Sequence, residues 1–287
     1  MTHRLSLRAL PLLLLACTPP SPVVPGPPGP QPEPPVVQPV VLSPILLRPV
    51  TVRYVIHRRL RVDQELAGQP PTLLSYRVFI STAIAGPSDS SGYSVVHTVD
   101  SIIPDSGSYQ PPTVNFVAAK GLRFTGRLAP NGAVRDATPS DSVVAQQFSQ
   151  FLGNLRDFYP RLPLSGLVPG AAWTDTITTT DRAAGGEVQV RATHQSTVTG
   201  WETRAGAQCL RIEVKGTFTL QGVGEQQGQP YELMGNGTRS AVEFVSVDGR
   251  YVEGETRDSM SLAVSLPAQG LTVPIRQVVH SSVAVLP

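Results

Sequence analysis

The sequence predicts a mainly β fold, a curved antiparallel sheet or half-barrel with one amphipathic α-helix across its concave face. Three observations predict it. Beyond residue 50, apolar and polar residues alternate through run after run, the period of a strand with one buried face. Turn dipeptides punctuate the runs at Asn131-Gly132, Gly185-Gly186 and Asp248-Gly249, residue pairs that tolerate the positive φ of tight hairpins. Only one stretch has a convincing helical period, whereas parallel strands would need a crossover between each pair.

In chain order, residues 1–16 read as a secretory leader. His3, Arg4 and Arg8 precede a short apolar run, Ala9 to Ala16, which is too short to span a bilayer, since spanning takes about 20 apolar residues. The run ends in Leu14-Leu15-Ala16-Cys17, and this resembles the bacterial lipobox. The resemblance implies that Cys17 becomes the mature N-terminus and carries a diacylglycerol and an N-acyl chain. Several acyl chains anchor a protein stably where one does not, so the membrane is the first expected partner. Thr18 stands where an Asp would retain the protein in the inner membrane, which implies the outer membrane, facing the periplasm.

Residues 17–49 comprise Cys17 and a tether. Thr18 to Pro49 holds 13 prolines in 32 residues. Proline fixes φ and removes backbone donors, so the stretch favours extended polyproline II and could reach about 100 Å from the lipid.

Residues 50–287 form the single expected β-rich domain. Strands are expected at Val50–His57, Leu73–Ile84, Ser94–Ile102, Leu122–Leu128, Thr174–Thr180, Val188–Val198, Cys209–Leu220, Tyr231–Val247, Tyr251–Leu266 and Leu271–Val285. Leu210, Ile212 and Val214 share one face, as do Met260, Leu262, Val264 and Leu266. The helix is expected from about Ser140 to Tyr159, with Thr138 as N-cap, Pro139 at its first position and Pro160 as its stop. Phe148, Phe151, Leu152, Leu155 and Phe158 repeat at helical spacing along it.

The segments Phe158-Tyr-Pro-Arg-Leu-Pro163 and Pro169-Gly-Ala-Ala-Trp-Thr-Asp175 resemble a stretch of uncharacterised secreted bacterial lipoproteins, in which a helix leads through a Pro-rich turn into a strand. The order of sheet and helix is loosely similar to the half-barrel of the lipoprotein carriers LolA and LolB. That resemblance implies acyl chains held between sheet and helix.

The formal charge of +2 comes from Arg4 and Arg8, so the chain beyond the leader is balanced. No basic run of the kind that tracks phosphates is present, and nucleic acid is not an expected partner. His57, His97, His194 and His280 lack metal-ligand spacing and are expected on strand surfaces. Gly86-Pro-Ser88-Asp-Ser90 is a poor match to a nucleophile elbow. Gly222-Val-Gly224 lacks the remaining glycine and the following helix of a phosphate loop. Glu253 and Glu255 share one strand face with Asp258 nearby, and the three are expected in solvent. Cys209, alone once Cys17 is lipidated, is expected to be a buried structural thiol.

No cofactor, metal or catalytic constellation emerges. The sequence reading is therefore a membrane-anchored envelope lipoprotein with a non-catalytic structural or interaction domain and an envelope protein as partner. The alternative is a carrier that takes an apolar ligand, such as a lipid acyl chain, in a helix–sheet cleft lined by Phe148, Phe151, Leu152, Leu155 and Phe158.

Overall fold

The alternating runs pair into one sheet. The structure, a computed structural model, describes residues 50–287 except 65–69, 90–91, 112–113, 153–154, 184–185 and 227. The expected leader, Cys17, the expected tether and Gly185 lie outside these residues. Eleven strands follow in chain order: β1 (Val50–Gln64), β2 (Thr72–Asp89), β3 (Gly92–Pro104), β4 (Arg123–Leu128), β5 (Val134–Pro139), β6 (Ala172–Ala183), β7 (Gly186–Arg204), β8 (Ala207–Gln226), β9 (Gln229–Ser246), β10 (Tyr251–Leu266) and β11 (Leu271–Leu286).

All ladders are antiparallel, in the order β5-β4-β3-β2-β1-β11-β10-β9-β8-β7-β6. Each neighbour pair is consecutive in sequence except β1 and β11, which join the two ends of the domain. This is the connectivity of an up-and-down meander whose two halves meet at the β1–β11 ladder, with β5 and β6 as the edge strands of an open sheet. The chain between those edges, residues 140–171, contains the helix.

That helix, α1, spans Ser142–Leu152, and a 3₁₀ turn follows at Leu155–Asp157. It is shorter than the expected Ser140–Tyr159, and its cap differs. Thr138 and Pro139 instead end β5, paired with Thr125 and Phe124 of β4. Asp141 caps the helix, its Oδ1 accepting from Val143 N at 2.9 Å and Val144 N at 3.0 Å, which satisfies two of the orphan donors of the first turn. Phe158 and Tyr159 lie beyond the helix. β5 has no counterpart among the expected strands because Arg135-Asp136 breaks its alternation and Asp136 takes φ 53°.

The core lies against one face of the sheet. Tyr54, Tyr76, Val78, Ile80 and Val95 are almost fully buried there, together with Phe148 and Phe151 of α1. Phe151 packs edge-on to Tyr76 of β2, with ring centroids 5.1 Å apart. The segment after α1 is tied at both ends: Leu162 N donates to Asn131 O in the β4–β5 turn (3.1 Å), and Gly170 N donates to Val198 O of β7 (2.9 Å).

β8 has 20 residues, against the 3–10 usual for a strand. The long strands β7–β11 therefore extend past the core, where their inward residues are only half-buried. Among the described residues, no helix is long and apolar enough to cross a membrane.

Candidate functional site

Where the core ends, a cavity of about 400 Å³ opens between the 155–161 segment and the inner face of β1 and β6–β11. Its apolar wall includes Ile177, Val190, Phe218, Leu220 and Met260, with Leu152, Leu155 and Phe158 opposite. The five residues expected to line a cleft therefore divide. Phe148 and Phe151 fill the solid core at 0 % and 1 % exposure, while the other three reach the cavity.

The wall is also polar, which the alternation did not suggest. Strand register sets inward residues side by side, and one cross-strand row reads Asp175, His194, Gly216, Arg239, Asp258, Val279. Arg239 donates to Asp258 through Nε and Nη2, both at 2.8 Å, the bidentate fork of a strong ion pair. Burial opposes the Arg239 charge, but Asp258 outweighs it and raises the pKa. At Gly216 the row has no side chain, and a Cβ there would overlap the His194 ring. Burial, then the nearby Arg239 charge, lowers the His194 pKa.

A second row contains Arg58, Ser281, Thr256, Ala241, Val214 and Ser196. In the third, Glu243 lies between Ile212 and Gly254. Glu243 meets the cavity rather than open solvent, and burial, eased by Arg239, pushes its carboxyl up to about 7. A carboxyl in this state holds a proton up to neutrality and can donate a hydrogen bond.

Phe158 closes the other side. Its ring centroid lies 5.0 Å from that of Tyr54, 5.5 Å from His97 and 5.7 Å from Tyr251. His97 accordingly departs from the surface position expected for it. It is 1 % exposed, with Nδ1 2.8 Å from Thr82 Oγ1, and burial lowers its pKa to about 4. His194 is likewise buried, whereas His280 is exposed.

Away from the cavity, Ser75 of β2, His57 of β1 and Asp105, which follows β3, converge. The trio superficially suggests a nucleophile with its base, but the geometry does not serve one. Asp105 Oδ2 lies 2.7 Å from His57 Nε2 and accepts from Ser75 Oγ at 2.5 Å. In a working triad the acid holds Nδ1 and leaves Nε2 for the hydroxyl proton. Here the carboxylate takes both, and the Ser75 hydroxyl, with His57 and Arg77, holds the Asp105 pKa below the usual carboxylate range.

Asp258 points inward to Arg239, so it is separated from Glu253 and Glu255 on the outer face. Cys209 is fully buried beside Phe244 and Val252, and burial raises its pKa. Among the described residues no group of His, Cys, Asp or Glu is placed to hold a metal ion.

No family model and no curated protein matches the chain. Two solved structures are similar in part. DynF from the dynemicin biosynthesis pathway of Micromonospora chersina is 8 % identical, with 87 % of this chain and 86 % of that chain covered at a TM-score of 0.23. OmpT, an outer membrane protein of Vibrio cholerae, is 6 % identical, with 83 % and 100 % covered at a TM-score of 0.25. At these scores neither bears on the fold or the cavity.

Proposed function

We propose that this chain is a lipid-anchored envelope protein, held by Cys17 on the outer membrane, whose non-catalytic half-barrel domain binds an apolar or amphiphilic ligand. The cavity carries the reading. Its volume of about 400 Å³ falls in the usual range for ligand sites, roughly 300–1,000 Å³, and it combines an apolar wall with a few convergent polar groups.

Sheet curvature fits the same reading. Seven neighbouring strands contribute to one cavity, although seven strands laid flat would span about 29 Å. Phe158 touches both His97 of β3 and Tyr251 at the start of β10, strands about 19 Å apart on a flat sheet. Close packing over glycine adds support. A Cβ at Gly237 would overlap the Phe218 ring, as in a sheet that curls toward its inner face.

A photo-crosslinking amino acid at Leu220, on the inner face, tests this in the full-length protein within an envelope. The same probe at neighbouring Thr219, on the outer face, is the control. A small-molecule adduct at 220 and not at 219 is the expected result, and none at 220 would refute the reading.

A second reading, an interaction domain without a small-molecule ligand, has one observation in its favour. The outer face carries a cross-strand row of hydroxyls, Thr176, Thr193, Thr217, Thr238 and Ser259, beside an open depression of about 890 Å³. Protein adducts at 219 with none at 220 would favour it.

A further inference from the structure

We propose that Arg58 and the hydroxyls of Ser281 and Thr256 form the headgroup subsite of this cavity and select a single-chain amphiphile with a carboxylate or phosphate monoester end. The inference rests on the cavity being a ligand site and names the chemistry that occupies it.

Arg58 is the guanidinium of the cavity wall left without a carboxylate among the described residues. Arg239 is held by Asp258, and Arg161 pairs with Asp157. Arg58 forms no ion pair among these residues, and its Nε is buried with no hydrogen-bond partner. Arg58 is half-buried, and leaving its buried Nε–H unsatisfied is costly, so a wall that keeps such a guanidinium is suited to an incoming anion. A guanidinium fork matches carboxylate and phosphate oxygens in particular.

Register supplies the rest of the subsite. Ser281 faces Arg58 across the β1–β11 ladder, and Thr256 faces Ser281 across the β11–β10 ladder. Directly opposed side chains have Cβ atoms about 5 Å apart, so the three form a contiguous row of donors that line the cavity. None of the carboxylates on the cavity wall forms an ion pair with Arg58 among the described residues. Asp258 is tied to Arg239, Asp157 to Arg161, and Glu243 stays protonated up to about 7. Met260 and Phe218 then offer the hydrocarbon chain an apolar wall.

The test uses the full-length chain held by its anchor on phosphatidylcholine nanodiscs. Decanoate, decyl phosphate and decanol are titrated against the wild type, Arg58→Met, Arg58→Lys and Ser281→Ala, with stabilisation against thermal unfolding as the readout. The wild type should bind at least one anionic ligand at least tenfold more tightly than decanol, and the preferred anion identifies the headgroup. Arg58→Met should abolish that preference while leaving decanol unchanged. Arg58→Lys should restore part of it, and Ser281→Ala should weaken the anion a few-fold, which keeps the proposal testable if Arg58→Met fails to fold. Equal binding of all three ligands, unaltered by the variants, would overturn the headgroup assignment and leave the cavity reading standing. Failure of all three ligands to bind the wild type would remove both.

Discussion

Replacing Glu243 by Gln should stabilise the protein at pH 8 and leave it nearly unchanged at pH 4.5. In the fold the Glu243 carboxyl titrates near 7, whereas in an unfolded chain it titrates near 4.5. Between those values the folded protein keeps a proton that the unfolded chain has released, so stability is full below 4.5 and falls as pH rises toward 7. At about 1.4 kcal/mol per pH unit, the loss reaches up to about 3 kcal/mol. Glutamine mimics the protonated carboxyl and removes the loss.

His97 works in the opposite sense. Its pKa falls from 6.5 to about 4 on folding, so its contribution is full above 6.5 and is lost as pH drops toward 4, again by up to about 3 kcal/mol. The two slopes offset one another between 4.5 and 6.5 in the wild type, and Glu243→Gln should expose the His97 slope. Thermal unfolding of wild type and variant at pH 4.5, 5.5, 6.5 and 8 reads both effects. At pH 8 the variant should melt roughly 6–12 °C higher, at about 2–4 °C per kcal/mol for a domain of this size. A melting difference that does not change with pH, or a variant less stable at pH 8, would refute the reasoning.

Other substitutions probe the remaining parts. Phe151→Ala empties a position packed against Tyr76 and should cost about 3–5 kcal/mol in urea unfolding. Asp141→Ala, which strips the cap of α1, should cost about 1 kcal/mol in the same assay. Arg239→Met leaves Asp258 without its cation and should cost ~3 kcal/mol, largely recovered by pairing it with Asp258→Leu, as a double-mutant cycle would measure. Cys209 should resist a thiol reagent in the native protein and react on addition of denaturant, because its sulfur is buried and its pKa raised.

The strands and one helix were legible in the sequence because side-chain period records which face of each element is buried. Leu210, Ile212 and Val214 face the core as their alternation requires. Parity also carries a trace of the cavity wall. His194 shares its face with Val190, Ala192 and Val198, and Arg239 and Glu243 share theirs with Ala241 and Val245, so each is a polar residue written into an apolar stripe. Such a residue is either partnered across strands or faces a cavity, and the stripe by itself does not distinguish the two. The helix start is ambiguous in the sequence for a similar reason. Thr138-Pro139 and Asp141 are all acceptable near a helix start, and pairing with β4 decided between them.

The sequence by itself determined a β-rich domain beyond a Pro-rich stretch, the inward face of its strands and the apolar side of α1, because these are local consequences of period, turn chemistry and proline geometry. Only the tertiary structure decided that β1 pairs with β11, that β5 and β6 are the edge strands, and that Arg239 meets Asp258 while Arg58 meets no carboxylate among the described residues. Those outcomes depend on which strands become neighbours and in what register. Register is fixed by the summed packing of the whole sheet, and no single segment encodes it.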